Sequence, residues 1–172
     1  MPPADLRLSD VHDAAQLQAA QALFREYAAS LKIDLGFQDF EEELAAFPGD
    51  YVAPRGALLL AWAPPAPEAS QDEPLRLAGC CALRPMDTAD YPNAAEMKRL
   101  YVRPAFRGLG LGRRLAEAAL DAARQAGYSC VLLDTLDDME SARALYVDLG
   151  FVDIPPYYHN PIAGAHYLKV DL

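Results

Sequence analysis

One stretch restricts the folds open to this chain more than any other. Glu96-Met-Lys-Arg-Leu-Tyr-Val102 reads as a strand, Arg103-Pro104 ends it, and Arg107-Gly-Leu-Gly-Leu-Gly112 follows. Behind the glycines, Leu111, Leu115, Ala118 and Ala122 recur at helical steps until Gly127 stops the pattern. A strand, a glycine turn and a helix in that order bring unpaired backbone N–H groups and the positive end of a helix dipole to one spot. Such a spot suits a phosphate, because missing Cβ atoms let its oxygens approach the backbone. Arg107 and Arg113 add positive charge there. A Walker loop would need Gly-Lys and then Ser or Thr, whereas Gly112 precedes Arg113-Arg114. The dinucleotide fingerprint fails on spacing, since Gly108, Gly110 and Gly112 run G-x-G-x-G.

The flanking sequence alternates strands and helices. Leu6-Arg7-Leu8 starts as a short strand, and Ser9 or Asp10 can cap the helix behind it. Leu17, Ala20, Phe24, Tyr27 and Leu31 form the apolar stripe of that helix. A second short helix covers residues 39–47 and ends at Pro48-Gly49. Residues 57–63 and 75–83 read as a hairpin whose proline-rich tip, 64–74, is a loop and not a domain linker. Further strands are expected at 128–135, 151–154 and 165–172, with a helix at 141–149 closed by Gly150. A chain of 172 residues fits one domain spanning 1–172.

Charge and composition exclude several classes. Fifteen Lys+Arg against 25 Asp+Glu give a net charge of −10, which argues against a general nucleic-acid binder and is compatible with a cationic partner. The strongly apolar run 57–63 is too short for a bilayer, and Met1-Pro-Pro-Ala-Asp lacks the character of a signal peptide, so no membrane is implied. Cys80, Cys81 and Cys130 show no C-x-x-C spacing and fit buried thiols in a reducing cytoplasm. His12, His159 and His166 lack ligand spacing, so no metal is expected.

Two motifs carry a resemblance. Arg107 to Gly112 matches R/Q-x-x-G-x-G/A, the signature of the GNAT superfamily of acyl-CoA-dependent N-acyltransferases. Ala142-Arg-Ala-Leu-Tyr146-Val-Asp-Leu-Gly150-Phe151 resembles its second signature, A-x-x-L-Y-x-x-x-G-F, in the expected order across residues 95–151. The resemblance implies an α/β fold of α+β type: a mixed, mostly antiparallel sheet with helices on both faces. Two central strands should splay, usually helped by a bulge in the first. Acetyl-CoA is the implied cofactor. Its pantetheine arm would pair with the backbone of Leu100, Tyr101 and Val102, and its pyrophosphate would sit on residues 108–113. The implied cofactor set there is Arg107, Gly108, Leu109, Gly110, Leu111, Gly112 and Arg113.

The same resemblance assigns chemistry. Amine acetylation needs an uncharged nitrogen, a stabilised oxyanion and a proton for the departing thiolate. Tyr146 matches the family's acid position. Glu96 lies eleven residues before Arg107, the spacing of the family's glutamate base. A backbone N–H near Tyr101 or Val102 is the expected oxyanion donor. Met139 stands seven residues before Tyr146, where many relatives carry an asparagine that contacts the cofactor. Tyr157, Tyr158, His159 and Asn160 sit in the loop that often closes over the acceptor, as a polar or aromatic wall or as packing on the sheet. The resulting expectation is a cytoplasmic acetyl-CoA-dependent N-acetyltransferase. It would act on a primary amine, small-molecule or peptide, by direct attack in a ternary complex. A silent acyl-CoA-binding module and a peptide or protein N-terminal acetyltransferase are the alternatives.

Overall fold

The computed structural model describes residues 7–11, 13–31, 40–64, 74–136, 140–158 and 164–172. The elements are β1 (Arg7–Asp10), α1 (Ala14–Ser30), α2 (Phe40–Ala45), β2 (Ala57–Ala63), β3 (Arg76–Pro85), β4 (Ala94–Val102), α3 (Leu111–Ala126), β5 (Cys130–Leu136), α4 (Glu140–Asp148), β6 (Val152–Ile154) and β7 (Ala165–Asp171). Seven strands form one sheet in the order β1-β2-β3-β4-β5-β7-β6. Among the described residues, only β4 and β5 pair in parallel; the other neighbours are antiparallel.

The uniformly apolar β2 is explained by a sheet covered on both faces. Leu58 and Leu60 pack with Leu23, Phe24 and Phe47 in the α1/α2 layer. Leu59 and Ala61 pack with Leu115, Leu120 and Leu133 in the α3/α4 layer. This is the expected fold class. Among the described residues, no helix is long and apolar enough to cross a membrane.

Two local expectations change. The cap of α1 is Asp13, whose carboxylate accepts from Gln16 N–H at 2.8 Å. Ser9 and Asp10 are instead paired with Leu60 and Leu59 of β2, so neither is available to the helix. The second helix is also shorter than expected, Phe40–Ala45, and residue 39 lies outside the described residues. Most of the proline-rich tip does too, at residues 65–73.

The expected splay is present. β4 and β5 pair only from Ala94↔Cys130 to Glu96↔Leu132, while β5 continues along β7 as far as Leu136↔Ala165. A bulge helps to part them. Cys80 faces Tyr101 and Ala82 faces Lys98, so β4 holds one more residue than β3 over this interval. Arg99 lies inside the bulge at φ 59°, in the left-handed region. That backbone costs a non-glycine residue about 1–3 kcal/mol and needs support from its surroundings.

Candidate active site

The glycine turn forms where the strand must give way to α3. Gly108 (φ 83°) and Gly110 (φ 79°) both adopt left-handed backbone that a side chain resists. Gly110 also starts α3, and no side chain caps the helix there. A Cβ built at Gly108 or Gly110 would meet no atom within 4 Å, so the space above the turn is open. Open space over uncapped N–H groups is a cradle that side chains would fill, and it fits an anionic group. Leu111 is buried beneath the turn, whereas Leu109 is exposed on it. A Cβ built at Gly112 would meet side chains of Leu145 and Val102 at 3.8 and 3.9 Å, so α3 starts close to α4 and β4. The two arginines are beside the turn but engaged. Arg107 Nε donates to the Val102 carbonyl at 3.0 Å, and Arg113 pairs with Asp148 at 2.9 Å and Glu117 at 3.7 Å.

Leu100 and Val102 pack toward the α3/α4 layer, and Tyr101 turns to the α1/α2 layer, its ring 5.9 Å from that of Tyr27. Tyr146, on α4, is buried edge-on against Phe151, with ring centroids 5.6 Å apart. Burial raises its phenol pKa well above the ordinary value, with smaller pushes from Tyr27, Cys81 and Asp134. Tyr27 belongs to α1 on the opposite face of the sheet.

On the α1/α2 face a cavity of about 420 Å³ opens over β4, lined among others by Glu43, Tyr51, Arg84, Glu96, Lys98 and Tyr158. Glu96 is 1% exposed. Its Oε1 accepts from Arg84 at 2.9 Å and lies 3.7 Å from Lys98 Nζ, and its Oε2 accepts from the Tyr157 hydroxyl at 2.6 Å. Burial pushes this carboxyl up, but Lys98, Arg84 and the Tyr157 hydroxyl outweigh burial and hold it below the ordinary value. A carboxylate so stabilised is a weak base.

Tyr158 lines the cavity and donates to Asp134 Oδ2 at 2.5 Å, while Tyr157 packs behind it on the cluster of Ala94, Cys130 and Leu132. Tyr157 is therefore a partner of Glu96 and not part of the cavity wall. His159, Asn160 and Met139 lie outside the described residues.

Four residues emerge that sequence reasoning missed. The bulge turns Lys98 and Arg99 to the same face, where strict alternation would have divided them. Arg99 pairs with Glu43 of α2, Nε to Oε2 at 3.2 Å, and stacks over Phe40. Glu43 also accepts from the Tyr51 hydroxyl. Asp134 sits inside the apolar strand Cys130–Leu136, and burial raises its pKa. Adjacent cations within β4 and a lone acid within β5 were the available signals; Glu43, inside the run Glu41-Glu42-Glu43, offered none.

Comparison with known proteins places this geometry in context. Residues 35–151 match the model of the acetyltransferase (GNAT) family. An uncharacterized N-acetyltransferase of Schizosaccharomyces pombe is 37% identical over 172 residues, covering 100% of this chain and 98% of its own. An acetyltransferase structure from Streptococcus agalactiae superimposes with a TM-score of 0.72 at 21% identity, covering 98% of this chain and 99% of that one. A chain of the NatC complex, solved bound to Gag peptide and CoA, superimposes with a TM-score of 0.70 at 17% identity, covering 98% and 99%.

Proposed function

The chain belongs to the acetyltransferase (GNAT) family, and from that premise we propose that it transfers an acetyl group from acetyl-CoA to a primary amine by direct attack, with both bound together. The observation that carries this reading is the parting of β4 from β5 after Glu96↔Leu132, directly beside the open glycine cradle. The backbone of Gly108 to Arg113 would hold the pyrophosphate of acetyl-CoA, with Arg107 and Arg113 alongside. The edge of β4 that has left β5, at Leu100, Tyr101 and Val102, would hold its pantetheine arm. When bound, acetyl-CoA supplies an acyl group activated as a thioester.

The chain's own residues divide the remaining work. Tyr146 keeps its proton across the working pH range, because burial opposes the phenolate, and so remains a donor. Glu96 acts as a fixed negative charge under the acceptor cavity. Tyr158 forms part of the wall that orients the acceptor and excludes water. The acceptor is a small amine or the N-terminal residue of a peptide, since about 420 Å³ is the scale of a small-ligand site. The NatC neighbour, solved with a peptide and CoA, supports keeping the peptide reading beside the small-molecule one.

Thermal unfolding and thiol release test the proposal together. Acetyl-CoA at a hundredfold excess over its Kd should add about 2.7 kcal/mol, or roughly 5–10 °C in Tm, while NADH and ATP add little. Free thiol should appear when acetyl-CoA and a panel of amines are supplied together. Tyr146→Phe should retain the thermal shift and lose about 10²–10⁴-fold in kcat, the usual worth of a positioned proton donor. A response to NADH equal to that for acetyl-CoA would overturn the cofactor assignment. Binding without thiol release from any amine would favour the silent acyl-CoA-binding module.

A further inference from the structure

A guanidinium carries five N–H donors in a rigid planar fork. Arg84, on β3, turns one edge of that fork to a single oxygen: its Nε and Nη2 lie 2.9 and 2.8 Å from Glu96 Oε1. The other N–H groups, both on Nη1 and the second on Nη2, have no partner among the described residues. Glu96 is 1% exposed and covers the Nε edge, whereas the Arg84 side chain is 32% exposed and lines the cavity on the α1/α2 face. The same Oε1 lies 3.7 Å from Lys98 Nζ, so neither cation has that carboxylate to itself. A fork anchored along one edge and unpartnered along the next is preorganised to take a second carboxylate through two parallel hydrogen bonds.

We propose that Arg84 binds a carboxylate carried by the acceptor, so that the amine acetylated here belongs to an amino acid or a related amino carboxylate. This rests on the acetyltransferase reading and names the acceptor class for the same cavity. Arg84 faces Glu96 in register, and Glu96 is the last residue of β4 that pairs with β5. A carboxylate on Arg84 therefore lies within a short chain's reach of the parted strands, where the amine must arrive. The acids around the cavity leave this role open. Glu43 is matched by Arg99 and accepts from the Tyr51 hydroxyl. Asp134 accepts from Tyr158 and is not among the residues that line the cavity. Glu42 and Asp50 line it from α2 and the turn behind α2, and both are exposed. Water and salt screen them, so they attract an incoming ammonium without fixing a second cation in place. A phosphate dianion would suit the cavity less than a carboxylate, because these acids line it beside Glu96.

Pairs of acceptors that differ only in the carboxylate test this on the full chain: glycine, β-alanine and γ-aminobutyrate, each against its amide, with putrescine as the diamine. In the best of these pairs the acid should exceed its amide in kcat/KM by about 10–100-fold, the worth of a hydrogen bond between charged partners. Arg84→Lys keeps a cation beside Glu96 but lacks the fork, and it should reduce that ratio by about tenfold or more. An arginine that served only to hold Glu96 would change acid and amide alike, so an unchanged ratio in the variant would overturn the proposal. So would wild-type turnover of the amides that equals or exceeds that of the acids in every pair. A preference for putrescine over all three acids would overturn it too, and would give the choice of acceptor to Glu42 and Asp50. Ligand-observed NMR of the wild type with CoA present needs neither turnover nor a variant that folds. It should show γ-aminobutyrate binding more tightly than its amide, and equal binding would count against the proposal. Failure to acetylate any amine would instead count against the acetyltransferase reading, while the binding comparison still decides the role of Arg84.

Discussion

At the scale of single residues, the site is a set of buried charges kept in place by neighbours. Glu96 is the clearest case, because a carboxylate at 1% exposure persists only with several partners. Its folded pKa lies below the ordinary value. The stability it contributes is therefore fully present above the unfolded carboxylate value and is lost as pH falls through the folded one. Tyr157→Phe removes one hydrogen bond to the charged form while keeping the ring against Tyr158 and Tyr167. The folded pKa of Glu96 should then rise toward the ordinary value, and acid unfolding should begin at higher pH. The variant should also lose about 1.5–3 kcal/mol at neutral pH, the worth of a hydrogen bond to a charged group. Circular dichroism during acid titration reads both effects. Superimposable acid transitions for the two proteins would mean that Tyr157 does not hold Glu96 ionised.

At the scale of elements, the junction between β4 and α3 concentrates the unusual backbone. Arg99, Gly108 and Gly110 all have positive φ within twelve residues of chain, 99–110. Only the glycines do so without steric cost, while Arg99 is held by Glu43 and by the ring of Phe40. Gly110→Val should cost about 1–2 kcal/mol or somewhat more from strain at φ 79°. Its side chain would enter space that holds no atom within 4 Å, so no packing clash should add to that cost. The variant should fold with a lowered Tm and show no further rise on adding acetyl-CoA. Calorimetry with and without acetyl-CoA measures both. An undiminished ligand shift would mean that the cradle is not where the phosphates sit.

At the scale of the whole molecule, one sheet serves two cores. β2 alone contributes Leu60 to the α1/α2 layer and Leu59 to the α3/α4 layer, so neither layer can dissolve while the other keeps its strand positions. Leu60→Ala and Leu133→Ala each empty a buried site, at 0% and 1% exposure, on opposite faces. Each should cost about 2–5 kcal/mol. Each should also lower a single calorimetric transition, with calorimetric and van't Hoff enthalpies in agreement. Two transitions in either variant would divide the chain into separately folding parts and contradict the single domain expected over 1–172.

The order of strands and helices and the glycine turn could be read along the chain, because each depends on local chemistry, whereas Tyr146 was marked by the resemblance of its motif to a family signature. Gly127 ends α3 in the left-handed conformation at φ 85°, as a glycine after an apolar helical stripe predicts. Local signals failed where a partner distant in sequence decides. Asp13 became the cap of α1 because β2 claims Ser9 and Asp10 for the sheet. The alternation of β4 gave no warning that Lys98 and Arg99 share a face, since the bulge exists only in register with β3. Nothing in a row of three glutamates marked Glu43 as the partner of Arg99, 56 residues away. Glu96 could be found by its spacing, but its basicity could not. A carboxyl's pKa is set by the charges and hydrogen bonds that folding brings around it, and two strands and a loop had to meet before Arg84, Lys98 and Tyr157 surrounded one buried acid.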